Sequence, residues 1–201
     1  MSKKTLVLIV LVPAILTSWV WLYSKLRPDS IDLNPYQSIG DAAARETAKF
    51  LHNSGRVLLV DADFGKYKLL APTTDAEITS FKKAIRKSGV KVAGVDKVAM
   101  APPSLARNEI FMEPGQLSGL LARHADVDAI VLFVGLPGPD ELNLQASDKR
   151  PKLVVVSNYE PYYQALAQKG AIQLAIARRP GADPQEAKAD FLVLTPDVAP
   201  R

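Results

Sequence analysis

The stretch DAIVLFVG, residues 128–135, decides the fold class of this chain. Its apolar residues run without interruption from Ala129 to Val134. A strand with one face in water would instead alternate apolar and polar residues. The uninterrupted run therefore predicts a strand that is buried on both faces, as in parallel sheets covered by helices.

Strand and helix patterns alternate along the rest of the chain. The predicted strands are residues 57–60, 90–95, 129–134, 153–156, 172–176 and 191–194. The first predicted helix runs from an Asp41 cap to Gly55, and the second runs from a capping box at residues 74–77 to Gly89. A third, short helix contains Leu117, Leu120, Leu121 and His124 at helical spacing. The fourth covers residues 161–169 and is closed by Gly170. This order requires right-handed crossovers. It predicts an α/β fold with three layers and a mainly parallel, doubly wound sheet, either Rossmann-like or flavodoxin-like.

An apolar segment precedes this domain. Residues 5–24, TLVLIVLVPAILTSWVWLYS, carry no charge, and a helix of that length spans roughly 30 Å, the thickness of the hydrocarbon core. A cleaved signal peptide is the alternative, but its apolar core is shorter and ends in a small-x-small site. Here Leu16 and Leu22 stand where such a site needs small residues. We favour an uncleaved transmembrane anchor, which binds membrane lipid.

The charges flanking the anchor bear on its orientation. Lys3 and Lys4 precede it and Lys25 and Arg27 follow it, so the positive-inside bias is nearly balanced. We favour a bacterial inner-membrane location, with a short cytoplasmic N-terminus and a periplasmic domain. The predicted organisation is a basic N-terminus at 1–4, the anchor at 5–24, a stalk at 25–35, one α/β domain at 36–196 and a tail at 197–201.

Composition excludes several classes of function. The chain contains no cysteine, which excludes disulfides, thiolate nucleophiles and cysteine-ligated metals. Its net charge of +4 falls close to zero without the four basic residues around the anchor, so nucleic-acid binding has no electrostatic support. The basic residues Lys82, Lys83, Arg86 and Lys87 are interpreted as the solvated face of a helix.

Three segments together resemble the second lobe of type 1 periplasmic binding proteins. They are RVLLVDADF (56–64), AEITSFKKAIRKSGVKVAGVDKV (76–98) and QLSGLLARHADVDAIVLFVG (116–135). The resemblance is a sequence of strand and helix types over about 80 residues. It implies an exported, ligand-responsive domain. Proteins of that family clamp their ligand between two lobes, whereas this chain is long enough for one.

A second resemblance is to the receiver domains of response regulators. It rests on VLLVDAD (57–63), DAIVLFVGLPGPDELNL (128–144), PKLVVVSN (151–158) and ALAQKGAIQLAIARRP (165–180). In that comparison Asp61 and Asp63 match the metal-binding acids, Ser157 matches the hydroxyl residue and Arg179 matches the lysine before proline. Phe133 stands at the phosphoacceptor position and cannot accept a phosphoryl group. The resemblance therefore implies an inert receiver.

Ligands of open α/β sheets bind beyond the carboxyl ends of the strands. The polar residues that follow the predicted strands are therefore the candidate ligand-binding residues. These are Asp61, Asp63 and Tyr67 after one strand, and Ser157, Asn158, Tyr159 and Tyr162 after another.

The candidate residues also have simpler structural interpretations. Asp61 can terminate a strand and Asp63 can serve as a turn residue, while Glu160 caps a helix and one of the nearby tyrosines packs inward. Alternatively, the two aspartates can share a divalent cation. No dinucleotide fingerprint, nucleophile elbow or histidine pair occurs, so we expect no cofactor.

These patterns favour a membrane-anchored, non-enzymatic α/β module at the cell envelope, which senses a small ligand or binds an envelope protein. A metal-dependent enzyme that acts on a phosphorylated or glycosyl substrate through Asp61 and Asp63 is the alternative. An inert, receiver-like scaffold is the third interpretation.

Overall fold

The computed structural model describes residues 18, 31–65, 71–101, 111–136, 150–158, 161–178 and 191–196. The chain divides into two compact units, Met1–Asp32 and Leu33–Arg201. Among the described residues, no helix is both long enough and apolar enough to cross a membrane. The predicted anchor at residues 5–24 lies outside the described residues, apart from Ser18.

Helices and strands alternate along the second unit. Its described helices are α1 (Asn34–Phe50), α2 (Ala71–Ile85), α3 (Gln116–Arg123) and α4 (Pro161–Gln168). Its described strands are β1 (Arg56–Asp63), β2 (Lys91–Ala99), β3 (Ala129–Leu132), β4 (Lys152–Asn158), β5 (Leu174–Arg178) and β6 (Phe191–Leu194). Every predicted strand is present, although most of the strand ends differ from those predicted.

The six strands form one sheet in the order β2-β1-β3-β4-β5-β6. Neighbours from β2 to β5 are parallel, and β6 is antiparallel to β5 at the edge. The predicted α/β fold with a mainly parallel sheet is confirmed.

Each face of the sheet carries its own hydrophobic cluster. On β1, Val57 and Leu59 belong to the cluster that contains residues of α1 and α2. Leu58 and Val60 belong to the other cluster, which contains residues of α3 and α4. Both sets are buried, because successive side chains of a strand point to opposite faces. The uninterrupted apolar runs of the sequence follow from this double burial.

Helix α1 begins earlier than the sequence predicts. It starts at Asn34, with Pro35 in its first turn, where a missing N–H costs nothing. The prediction that Asp41 caps this helix is wrong, since Asp41 lies inside it and accepts a hydrogen bond from the Ser80 hydroxyl of α2. The predicted stalk therefore loses its last two residues to α1.

Helix α2 also begins before its predicted cap. It starts at Ala71, so the capping-box prediction is wrong, and Thr74 is a buried residue within the helix. Lys83, Arg86 and Lys87 are exposed and Lys82 is half-buried, which agrees with the prediction of a solvated face.

Candidate functional site

The sheet changes its winding direction at β1. Strand β2 pairs with one side of β1, and β3 pairs with the other, with Val60 opposite Leu132. In open α/β sheets, such a point leaves a crevice at the carboxyl ends of the two central strands. By this rule, the position for a ligand lies beyond β1 and β3, next to Asp61 and Asp63.

Asp61 is a buried acid at the end of β1. It is only 4% exposed, and strand alternation places it on the same face as Val57 and Leu59, beside α2. Its Oδ1 atom has no hydrogen-bond partner among the described residues. A buried carboxylate oxygen without a donor is costly, and it is therefore a strong candidate for contact with a ligand.

Lys97 forms an ion pair with this carboxylate. It lies directly opposite Asp61 on β2, and its Nζ atom is 3.8 Å from Asp61 Oδ2. The Lys97 side chain is 63% exposed, so water screens this ion pair. No sequence pattern indicates Lys97, because residues on separate strands become neighbours only through the pairing register.

Burial dominates the electrostatics of this acid. Loss of water raises the pKa of Asp61 above its ordinary value, and the charge of Asp75 raises it further. Lys97, the Ala62 backbone N–H and Lys82 act in the opposite direction and lower this pKa. The net shift is upward, so Asp61 takes up a proton more readily than an exposed aspartate does.

Asp63 has a different environment two residues further on. Its side chain is exposed, and Oδ1 accepts a hydrogen bond from the Gly65 backbone N–H at 3.2 Å. This is the turn role that the sequence predicts. The corresponding prediction for Asp61, that it terminates the strand, is wrong because β1 continues to Asp63 and pairs there with Ala99 of β2.

Two aromatic residues, Phe133 and Tyr163, are buried on opposite faces of the sheet. The Phe133 N–H donates to the Val60 carbonyl at 2.9 Å, and the Phe133 ring packs edge-on against Phe81 of α2, with ring centroids 5.6 Å apart. On the other face, the Tyr163 hydroxyl accepts a hydrogen bond from the Leu136 N–H at 3.3 Å. Tyr163 is fully buried, as predicted for one tyrosine of its cluster.

The remaining predicted site residues are placed by the backbone alone. Ser157 and Asn158 lie at the carboxyl end of β4, opposite Ala177 and Arg178 of β5, and Tyr162 lies in the first turn of α4. Parallel strands end at one edge, so Ser157 and Asn158 share the edge of the sheet that holds Asp61. Tyr67 and Tyr159 lie outside the described residues.

The two histidines have other environments. His124 Nε2 lies 2.7 Å from Asp96 Oδ2, and Arg123 reaches the same oxygen at 3.8 Å, so the three side chains tie α3 to β2. His52 lies in the turn after α1 with a φ of 53°. Within the described ranges, no three histidine or acidic side chains are grouped so that they could hold a metal ion.

No protein-family model matches the chain, and no curated protein sequence matches it. Solved structures do match. A solute-binding protein from Burkholderia graminis, in complex with D-arabinose, is 18% identical, with a TM-score of 0.53 over 80% of this chain and 60% of that one. GanP, a glucose-galactose binding protein from Geobacillus stearothermophilus, is 14% identical, with a TM-score of 0.55 over the same shares of the two chains.

A third match is the XylFII-LytSN complex, at 17% identity and a TM-score of 0.56, again covering 80% of this chain and 60% of that chain. The chain thus spans about 60% of the length of these structures. The resemblance to type 1 periplasmic binding proteins is therefore confirmed at the level of the fold, which this chain shares with sugar-binding solute-binding proteins.

Proposed function

We propose that this chain is a non-enzymatic, membrane-anchored module that binds a small polyhydroxylated ligand, such as a pentose, at the carboxyl edge of its sheet. The observation that carries this proposal is the buried Asp61 carboxylate, whose Oδ1 atom lacks a donor among the described residues. Sugar hydroxyls are donors that satisfy such an oxygen, and hydrogen bonds to charged acceptors are stronger than neutral ones.

The position of the acid supports the same conclusion. Asp61 lies at the winding switch between β1 and β3, which is where open α/β sheets bind ligands. The structural relatives include a protein bound to D-arabinose and one that binds glucose and galactose. In the proposal Asp61 accepts hydrogen bonds from the ligand, and Asp63, Tyr67, Ser157, Asn158, Tyr159 and Tyr162 supply further polar contacts.

The length of the chain bears on affinity. The chain spans about 60% of the length of the structural relative bound to D-arabinose, and in the proposal its sheet supplies one wall of the ligand site. Ligand sites with strong affinity bury most of the ligand surface. We therefore propose weak binding by the isolated chain, and tighter binding when an envelope protein covers the edge. XylFII, which matches this fold, forms a complex with LytSN.

The proposed location is the outer face of a bacterial inner membrane, with residues 5–24 as a single-pass anchor. The uncharged length of this segment supports the proposal. A topology reporter fused after Arg201 tests it, since reporter activity on the periplasmic side is expected. Activity on the cytoplasmic side would instead favour the receiver-like scaffold.

A metal-dependent enzyme has less support. Asp61 is buried, whereas Asp63 is exposed and its Oδ1 accepts a hydrogen bond from the Gly65 N–H, so the two carboxylates lie in different environments. Thermal unfolding of the full chain in detergent, with a panel of sugars and with Mg²⁺, Mn²⁺ or Ca²⁺, separates the two functions. Stabilisation by a sugar is expected. Stabilisation by a cation alone would overturn the sugar proposal.

A further inference from the structure

A polar groove runs between α1 and α2, on the outer side of this helical layer. Its volume is about 670 Å³. The two helices lie side by side and run in the same direction, since residues later in α1 contact residues later in α2. Gly40 lies against the backbone of Glu77, Asp41 contacts Ser80, and the Asn53 carbonyl lies against Gly89.

Four exposed cations line this groove: Arg45 and Lys49 from α1, and Lys83 and Lys87 from the α2 side. Arg45 and Lys49 are four residues apart within α1, which places them on one face of that helix. Lys83 lies in the last turn of α2, and Lys87 lies in the turn that follows it. Because the two helices are parallel and aligned, Arg45 and Lys49 lie beside Lys83 and Lys87 along the groove. The cations therefore form one basic patch, called here the α1/α2 patch.

Acidic side chains compensate only part of this charge. Lys49 forms an ion pair with Glu46 at 2.6 Å, and the acid that lines the groove, Asp41, is bonded to Ser80. Among the described residues, no ion pair involves Arg45, Lys83 or Lys87. Arg45 and Lys49, like charges four residues apart in α1, destabilise that helix slightly, so an anionic surface that neutralises them is favoured.

The uncharged segment that precedes α1 in the sequence indicates that this anionic surface is a membrane. The uncharged segment ends at Ser24, and nine residues, 25–33, separate it from α1. Nine residues extend to roughly 30 Å at most, and the 17 residues of α1 span about 25 Å. Such a short tether keeps the domain at a high effective concentration near the bilayer.

We propose that the α1/α2 patch docks on anionic phospholipid headgroups and so fixes the orientation of the domain on the membrane. The proposal rests on the membrane anchoring proposed above. Each cation at an anionic surface favours the docked state by about fivefold. The helical layer, and not the carboxyl edge of the sheet, then faces the lipid.

The absence of cysteine from the chain allows a direct test with single-cysteine probes. Thr79→Cys labels the exposed surface of α2, four residues before Lys83, and Gln168→Cys labels the end of α4. The full chain, carrying a donor dye, is placed in nanodiscs that contain acceptor-labelled lipid. The discs hold either phosphatidylcholine alone or a mixture with phosphatidylglycerol. Energy transfer is measured at low and high salt.

We expect transfer from position 79 to exceed transfer from position 168 in phosphatidylglycerol discs, and to fall in phosphatidylcholine or at high salt. Lys83→Gln with Lys87→Gln should lower the ratio of docked to undocked domain roughly 25-fold. The matched control, Lys91→Gln with Lys169→Gln, removes the same charge from exposed positions elsewhere, and it should leave the ratio unchanged.

Other outcomes overturn the proposal in distinguishable ways. A chain that fails to co-elute with either kind of disc would refute the anchor, and the docking with it. A chain that co-elutes but shows equal transfer in both lipids would refute the docking and leave the anchor intact. Release of the patch from the lipid by equimolar soluble polyglutamate would indicate an acidic protein partner instead of lipid, and would also overturn the proposal.

Discussion

The Asp61 carboxylate and the Lys97 ammonium group lie 3.8 Å apart on two adjacent parallel strands. The acid is buried and the lysine is largely exposed. This asymmetry means that the pair only partly offsets the cost of burying the acid, because the pKa of Asp61 stays above its ordinary value despite the nearby cation. A ligand hydroxyl that bonds to Oδ1 would offset more of this cost.

Asp61→Asn should stabilise the fold at pH 7. The folded protein holds a proton on Asp61 more tightly than the unfolded chain does. The stability contributed by this group is therefore complete below the unfolded pKa of about 3.9 and is lost as pH rises through the raised folded pKa. Urea unfolding of the full chain in detergent should show a larger free energy of unfolding for the variant at pH 7. The difference should vanish near pH 3, whereas a gain that is constant with pH would contradict the assignment.

Lys97→Gln should have the opposite effect. Removing the cation raises the pKa of Asp61 further, so the variant should lose about 0.5 kcal/mol at pH 7, a small value because the lysine is mostly in water. The loss should disappear once Asp61 is protonated. Lys91→Gln, at an exposed position on the same strand, is the control and should be neutral. Equal losses in both variants would show that the Asp61–Lys97 ion pair contributes nothing specific.

Tyr163→Phe should cost about 1 kcal/mol, because it leaves the Leu136 N–H without the hydroxyl that accepts its hydrogen bond inside the core. The free energy of unfolding measures this loss. Ser118→Ala removes an exposed hydroxyl that donates to the Gly115 carbonyl, and should change stability by less than about 0.5 kcal/mol. Similar values for the two variants would argue against a structural role for the buried hydroxyl.

Gly40→Ala should destabilise the protein by about 2 kcal/mol. A Cβ at this position would collide with the backbone carbonyl of Glu77 and force α1 and α2 apart. Gly119 of α3 is the matched control, since a Cβ there meets only the end of the flexible Arg123 side chain. Gly119→Ala should therefore be neutral or stabilise by up to about 1 kcal/mol. Thermal unfolding of the two variants checks the contrast.

The sheet was predictable from the sequence because burial on both faces leaves a continuous apolar run. The first four residues of the run at 129–134 form β3 (Ala129–Leu132), which lies between two neighbouring strands. The ends of the helices were less predictable. A capping residue such as Thr74 promotes a helix start, but packing inside the domain buries it within α2, and tertiary contacts outweigh a local capping preference.

The candidate site was predictable only in part. Asp61 stands out in the sequence because it follows an apolar run and precedes a second acid. Its partner Lys97 is 36 positions away and becomes its neighbour through the register of β1 and β2. A shift between Val57 and Leu58 contributes to that register, and no sequence pattern signals it. The basic patch between α1 and α2 likewise depends on the alignment of the two helices, so the sequence showed only its α2 half.

The proposed ligand site is tested by equilibrium binding of D-arabinose, D-xylose and D-glucose to the full chain in detergent, compared among the wild type and two variants. The wild-type chain should bind at least one of the sugars, and Asp61→Asn should weaken that binding tenfold or more, since a hydrogen bond to a charged group contributes about 1.5–3 kcal/mol. Asp126→Asn removes an exposed acid that pairs with Arg56, the first residue of β1, and should leave binding unchanged. Binding that survives Asp61→Asn at full strength would contradict a ligand site at the carboxyl edge of β1.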